Sequence, residues 1–223
     1  MDIDFLSKIL SIILLDIVLS GDNAVVIALA TRKLNPAQRK KAILIGTGGA
    51  IGLRIILTVI AVQILAIPFV KIVGGLLLFY IAYDLLRSNG EDSDVKSGGT
   101  LLAAVKTIIV ADFVMSLDNV LAIAGVADGH TGLAALGLLV SIPIIIFGSQ
   151  LIIKLMDKFP LLVWIGALLI AYTAGTMVVS DQYGAYLVDW TFPLMSKIIP
   201  ILFCVLLIAV GLWAKKFQTR NIH

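Results

Sequence analysis

Runs of largely apolar residues recur along the chain, parted by short polar clusters. They lie at about 5–30, 42–67, 69–87, 102–126, 132–154, 160–180 and 193–214, each long enough to cross the roughly 30 Å hydrocarbon core of a bilayer as a helix. This pattern predicts an all-α polytopic membrane protein with seven transmembrane helices. The longest polar connections, at about 88–99 and 181–191, are too short to hold a soluble catalytic domain. Any chemistry is therefore expected within or beside the bilayer, and no enzyme activity is expected.

The pattern also repeats. Asp16 to Ala28 reads DIVLSGDNAVVIA, and 96 residues later Asp112 to Ala124 reads DFVMSLDNVLAIA, identical at seven of thirteen positions. A second block, PFVKIVGGLLLFYIAYD from Pro68, aligns with PLLVWIGALLIAYTAGT from Pro160 at an offset of 92 and shares Pro, Gly, two Leu, Tyr and Ala. Helices one to three thus repeat as helices four to six. Three spans is an odd number, so the second copy must enter the membrane from the other side, giving an inverted 3+3 repeat of the kind that secondary transporters build around a midplane site. The expected organisation is a first repeat over 1–90, an inverted second repeat over 91–185, and an extra seventh helix with its tail over 186–223.

Composition agrees with this picture and narrows it. Of 223 residues 60% are hydrophobic and 14% charged, which excludes an ordinary soluble domain. The net charge of +3 does not imply nucleic-acid binding in such a chain; the location of the charges matters more. Arg32, Lys33, Arg39, Lys40, Lys41, Lys154, Lys158, Lys215, Lys216 and Arg220 cluster at one set of helix ends, while the other has Asp128, Asp181 and Asp189 in its loops and only Lys8, Lys71 and Lys197 near helix ends. The positive-inside rule then puts the N-terminus outside and the C-terminus in the cytoplasm. The start, MDIDFLSKIL, lacks the positive charge of a secretory signal and is expected to stay in the mature protein. A single cysteine, Cys204, supplies neither a disulfide framework nor a CxxC site.

Four acids inside the apolar runs carry the candidate chemistry: Asp16 and Asp22 in the first helix, Asp112 and Asp118 in the fourth. An ionised acid at a helix centre costs roughly 2.5–3.5 kcal/mol on insertion scales, so four cost about 10–14 kcal/mol unless a partner compensates them. Asp16, Ser20 and Asn23 fall within about 60° of one another on an ideal helix, as do Asp112, Ser116 and Asn119. Asp22 and Asp118 lie about 120° away from these rows, and a local break at Gly21 would bring Asp22 in; Leu117 stands at the matching place in the second copy. The donors are carboxylates, amides and hydroxyls, without His130, His223 or Cys204. That set suits Mg, Ca or Mn better than Zn or Cu. Buried acids paired for structure alone are the competing explanation, and Arg54, the one basic residue deep in a helix, is read first as their counter-ion, with a mobile charge that fills the empty site and a snorkelling side chain as the alternatives.

Smaller features have simpler readings. Gly48 and Gly52 form a GxxxG expected to pack helices closely. Tyr80 and Tyr172 match across the repeat and are candidates to line a cavity or bond across helices. Asp84 reads as a solvated helix end, Glu91, Asp92 and Asp94 as a solvated loop, and Trp164, Trp190 and Trp213 as interfacial anchors.

With the paired motifs Asp22-Asn23 before AVVIA and Asp118-Asn119 before VLAIA, in a seven-helix chain of this length, the sequence resembles the TerC family of bacterial integral membrane proteins, within the LysE-like exporter superfamily. The resemblance covers about residues 5–214. It implies manganese efflux, or supply of manganese to exported metalloenzymes, and historically tellurite resistance. Carried over residue by residue, it implies a metal site of Asp16, Asp22, Asn23, Asp112, Asp118 and Asn119, with Ser20, Ser116 and Arg54 as auxiliary groups. Mn2+ is then the transported substrate, and no organic cofactor is implied. Membrane lipid, a divalent ion, counter-moving protons, a second copy of the chain and secretion machinery are the candidate partners; nucleic acid is not. Export of two positive charges against 100 mV opposes about 4.6 kcal/mol, so coupling to protons is expected. A metal-delivery module without transport is the main alternative. An amino-acid exporter fits less well because four acids with one arginine make too negative a site, and an intramembrane aspartyl protease lacks its YD and GxGD pair.

Overall fold

A computed structural model describes residues 3–65, 67–88, 100–127, 130–183 and 195–220. Among them there is no strand. The helices are α1 (Ile3–Leu19), α2 (Gly21–Thr31), α3 (Pro36–Leu65), α4 (Val70–Ser88), α5 (Leu101–Val126), α6 (Thr131–Lys158), α7 (Leu161–Val179) and α8 (Met195–Arg220). Among the described residues four stretches are long and apolar enough to cross a membrane: Pro36–Ile60, Gly132–Lys158, Leu161–Val179 and Met195–Ala214. The pair α1 and α2, bent by 51° at Ser20, makes a fifth if taken as one broken span. Many of the large apolar side chains on these helices face outward, such as Val18, Phe147 and Leu161 at 70% exposure or more, as lipid-facing surface requires.

The chain divides into two compact units, Met1–Ala66 with Gly99–Lys158, and Ile67–Gly98 with Phe159–His223. The first holds α1, α2, α3, α5 and α6; the second holds α4, α7 and α8. Segments that correspond in the sequence repeat share a unit: α1 and α2 lie with α5, α3 with α6, and α4 with α7.

The break in the first unit has a local cause. Ser20 (φ −107°, ψ 13°) leaves the helical region, and Ser-Gly-Asp-Asn are all weak helix formers, glycine by about 1 kcal/mol relative to alanine. In the second copy Leu117 replaces the glycine, and α5 runs unbroken for 26 residues. Around the break, Ile12 packs with Ile123, Ala134 and Leu138 in one buried cluster, and Ile27, Ile43 and Ile108 form another. At the far end of α2, Arg32 pairs with Asp157 of α6 at 2.8 Å. Arg39 of α3 donates to the carbonyls of Thr31, Arg32 and Leu34, satisfying acceptors that the end of α2 leaves open.

Close helix approach does not use the expected GxxxG pair. A Cβ on Gly48 or Gly52 would meet nothing within 4 Å, whereas one on Gly46 would lie 3.1 Å from Ile108 Cβ and one on Gly49 2.7 Å from Ile109 Cδ1, both on α5. The α3 to α5 crossing therefore rests on the neighbouring glycines. In the second unit a Cβ on Gly75 would lie 2.6 Å from the carbonyl oxygen of Ala174, and one on Gly175 2.5 Å from Pro200 Cα. Backbone cannot yield as a side-chain tip can. Gly175→Ala is expected to cost about 1–3 kcal/mol by overpacking, while Gly48→Ala stays within about 0.5 kcal/mol; melting of both variants in detergent checks this, and equal midpoints would refute it.

Asp181 also departs from expectation. Read as a loop acid, it is 2% exposed, accepting from the backbone N–H of Lys71 at 3.2 Å and of Tyr183 at 3.0 Å. It thus satisfies an open donor at the start of α4. Phe69, just before, holds φ 65°, a left-handed conformation that side chains of this kind rarely adopt, with its ring stacked on Tyr183 at 4.6 Å. Tyr80 and Tyr172 are 62% and 45% exposed and line no described cavity. Asp84 is exposed, Trp164 lies against Gly211 of α8, and Trp213 is exposed. Glu91, Asp92, Asp94, Asp128, Asp189, Trp190 and His223 lie outside the described residues.

Candidate metal centre

The centre is built in the first unit from α1, α2, α3, α5 and α6. Arg54 of α3 is 3% exposed, Asp16 of α1 1% and Asp112 of α5 8%. The guanidinium donates through Nη1 to Asp16 Oδ1 and through Nη2 to Asp112 Oδ1, pairing with both acids at once. Its Nε donates to Ser116 Oγ at 2.9 Å and its Nη1 also to Ser20 Oγ at 2.9 Å. Each serine lies one turn after its acid and donates back to it, Ser20 to Asp16 at 2.9 Å and Ser116 to Asp112 at 3.3 Å. The two copies of the D-x-x-x-S row therefore grip one arginine from two sides. A planar fork with five fixed donors is suited to this task, and a lysine point charge is not.

The two asparagines reach across between copies. Asn23 Nδ2 donates to Asp112 Oδ1 at 2.6 Å, and Asn119 Nδ2 donates to the carbonyl of Leu19 at 3.1 Å. Leu19 is the last residue of α1, so Asn119 satisfies an acceptor that the break frees. From α6, Ser141 Oγ donates to Asp16 Oδ2 and also lies 2.8 Å from the carbonyl of Leu138.

Beside these groups lies a cavity of about 20 Å³, with polar walls from Asp16, Asn23, Thr47, Arg54, Asp112 and Ser141 and apolar walls elsewhere. A space of that size holds one water or a largely dehydrated small ion. With all three groups ionised, two carboxylates facing one guanidinium leave one negative charge in excess. The remaining donors are neutral oxygens, the set that hard divalent cations prefer.

Of the six residues expected to bind metal, Asp16, Asn23 and Asp112 line the cavity. Asp22 is half-buried in the first turn of α2, Asp118 is exposed on α5, and Asn119 is half-buried at the break; none of these three lines it. Among the described residues no group of three or more acids, histidines or cysteines converges. The donor set is thus two carboxylates with amide and hydroxyl oxygens. Ser20, Ser116 and Arg54 lie within the cluster as auxiliary groups. Sequence reasoning missed Ser141 and Thr47, single hydroxyls that cost little in an apolar helix and so do not stand out. One signal could have found them: they lie 94 residues apart, between the 96 and 92 offsets of the flanking repeat blocks.

An all-helical chain with several apolar spans and a buried charged cluster among them is an integral membrane protein. Residues 1–221 match the Integral membrane protein TerC family, and the chain belongs to that family. It is 47% identical over 182 residues to the Bacillus subtilis (strain 168) protein named "Uncharacterized membrane protein YjbE", covering 82% of this chain and 84% of the relative. It is 27% identical over 165 residues to "UPF0053 inner membrane protein YgdQ" of Escherichia coli (strain K12), covering 66% and 69%, and 25% identical over 207 residues to "UPF0053 inner membrane protein YoaE" of the same strain, covering 84% of this chain but 40% of the relative. No solved structure matches the chain.

Proposed function

We propose that this chain is a manganese exporter of the bacterial plasma membrane, exchanging Mn2+ for protons. The observation that carries the reading is the duplicated pair of buried acids, Asp16 and Asp112, brought from separate helices to the polar end of one small, mostly apolar cavity. Asp16, Asn23 and Asp112 hold the ion, with Ser20 and Ser116 beside them. Asp22, Asp118 and Asn119 flank the path by which it arrives. Counting the bent α1 and α2 pair as one span, and α4 and α5 with the four apolar stretches, gives seven spans, with the N-terminus outside and the C-terminus inside by the distribution of lysine and arginine. The repeats are of opposite topology, and alternating access of the kind such repeats support exposes the site to each side in turn.

Arg54 gives the exchange a physical basis. The carboxylates that grip the guanidinium are the ones a divalent ion needs, so ion and arginine compete for them. Protons delivered to Asp16 and Asp112 weaken their hold on the ion, and two protons inward for one Mn2+ outward cancel the charge movement that would otherwise cost about 4.6 kcal/mol at 100 mV.

The test is Mn2+ uptake into inside-out vesicles holding only the purified chain, with voltage clamped and a pH gradient imposed. Saturable uptake that rises with an acidic lumen is expected. Uptake indifferent to the gradient would sink proton coupling, tight binding without flux would make the chain a metal-delivery module, and neither binding nor flux would return the acids to a structural role.

A further inference from the structure

Thr47 of α3 is 5% exposed and lines the cavity, yet its Oγ1 has no hydrogen-bond partner among the described residues. This is unusual for its own type. Thr31, Thr58 and Thr173 each donate to the carbonyl four residues earlier, the ordinary way to satisfy a hydroxyl inside a helix. Asn23 Oδ1, 4% exposed on the same cavity, is likewise without a partner. Its orientation follows from chemistry: Nδ2 must face the Asp112 carboxylate, because turning the amide over would set two acceptors against each other. Buried polar atoms are nearly always satisfied, and the exceptions call for an explanation. Two neutral oxygens beside two acids are a donor set that suits a hard cation, in a space that holds one small ion or one water.

The repeat supports this independently. Ser141 is the counterpart of Thr47 at a spacing of 94, and as α6 corresponds to α3, so α1 corresponds to α5. Ser141 gives its proton to Asp16. Thr47, its mate, lines the cavity with Asp112 and gives its proton to nothing described. Ser141 Oγ is held between Asp16 and the Leu138 carbonyl, whereas Thr47 Oγ1 is held by no described group and is free to turn its oxygen toward an ion.

We propose that Thr47 is a direct ligand of the transported divalent cation, its Oγ1 and Asn23 Oδ1 completing a coordination shell begun by Asp112 and Asp16, and that it sets the affinity of the site. This rests on the metal-transport reading and falls with it. A hydroxyl and an amide oxygen add coordination without further negative charge, so the ion is held firmly enough to select it but can still leave.

The test is calorimetric titration of MnCl2 into the purified full chain in nanodiscs, comparing wild type, Thr47→Val and Thr47→Ser, with thermal midpoints measured alongside. Valine keeps the shape and removes the oxygen. Mn2+ affinity should fall about tenfold or more, serine should restore it to within about threefold, and the midpoint of Thr47→Val should stay level or rise because an unsatisfied buried hydroxyl is gone. A purely structural threonine would give the reverse, a lower midpoint with affinity kept. Wild-type affinity in Thr47→Val would overturn the ligand assignment alone and leave the transport reading standing. Absence of Mn2+ binding by wild type would overturn both.

Discussion

Arg54→Met is expected to lower the stability of the folded chain by about 3–5 kcal/mol, the cost of breaking a buried ion pair by removing one partner. Methionine matches the length of the arginine stem, so the change isolates the loss of charge and donors. Asp16 and Asp112, 1% and 8% exposed, would then face each other as uncompensated carboxylates, and Ser20 and Ser116 would lose a donor. The loss should be repaired from the other side: adding Asp16→Asn and Asp112→Asn to Arg54→Met removes the charges and should recover most of the stability, since buried charge clusters replaced as a whole are often neutral. Thermal melting with size-exclusion profiles in detergent measures both. A single variant as stable as wild type, or a triple variant no better than the single, would show that the arginine is not what holds the acids.

The second large effect separates the acids by place. Asp112→Asn and Asp16→Asn should reduce Mn2+ flux about a hundredfold or more, because each removes a carboxylate from the cavity wall and a hard divalent ion depends on such charges. Asp118→Asn and Asp22→Asn should raise the Mn2+ concentration needed for half-maximal flux while leaving the maximal rate within about threefold, because neither residue lines the cavity and charges outside it act mainly by attracting the ion. Concentration series in the same vesicles distinguish these outcomes. If Asp118→Asn abolished flux at saturating Mn2+ while Asp112→Asn did not, the ion would have to bind elsewhere.

Much of the centre was legible because it violates the rule of its surroundings. An acid in an apolar run is costly enough to stand out, and helical phase places Ser20 on the same stripe as Asp16, but the pattern gives all four acids alike to the metal and does not set Asp16 and Asp112, which line the cavity, apart from Asp22 and Asp118. The break was legible from Gly21, and Arg54, as the one deep cation, was legible as a candidate counter-ion, which its pairing with Asp16 and Asp112 selects over a snorkelling side chain. Other features were not readable for equally physical reasons. Helices apolar nearly all round carry no polar face to fix their rotation, so Gly48 with Gly52 could not be told from Gly46 with Gly49. Thr47 and Ser141 are cheap to bury and look like filler until their hydrogen-bond partners are known. Asp181 reads as a solvated loop acid because sequence does not reveal which helix start it meets. Its cap on α4 depends on a contact 110 residues away in the chain.

The kink at Ser20 gives the duplicated cage two unlike sides. Both sides grip the same guanidinium with the same two residue types, yet one side is a continuous helix of 26 residues and the other is broken at Ser20, the serine that grips. The break leaves the α1 and α2 side without a continuous ladder of helical hydrogen bonds, while α5 keeps its ladder past Asp112 and Ser116. A duplication preserved in its chemistry has thus lost its equivalence in backbone.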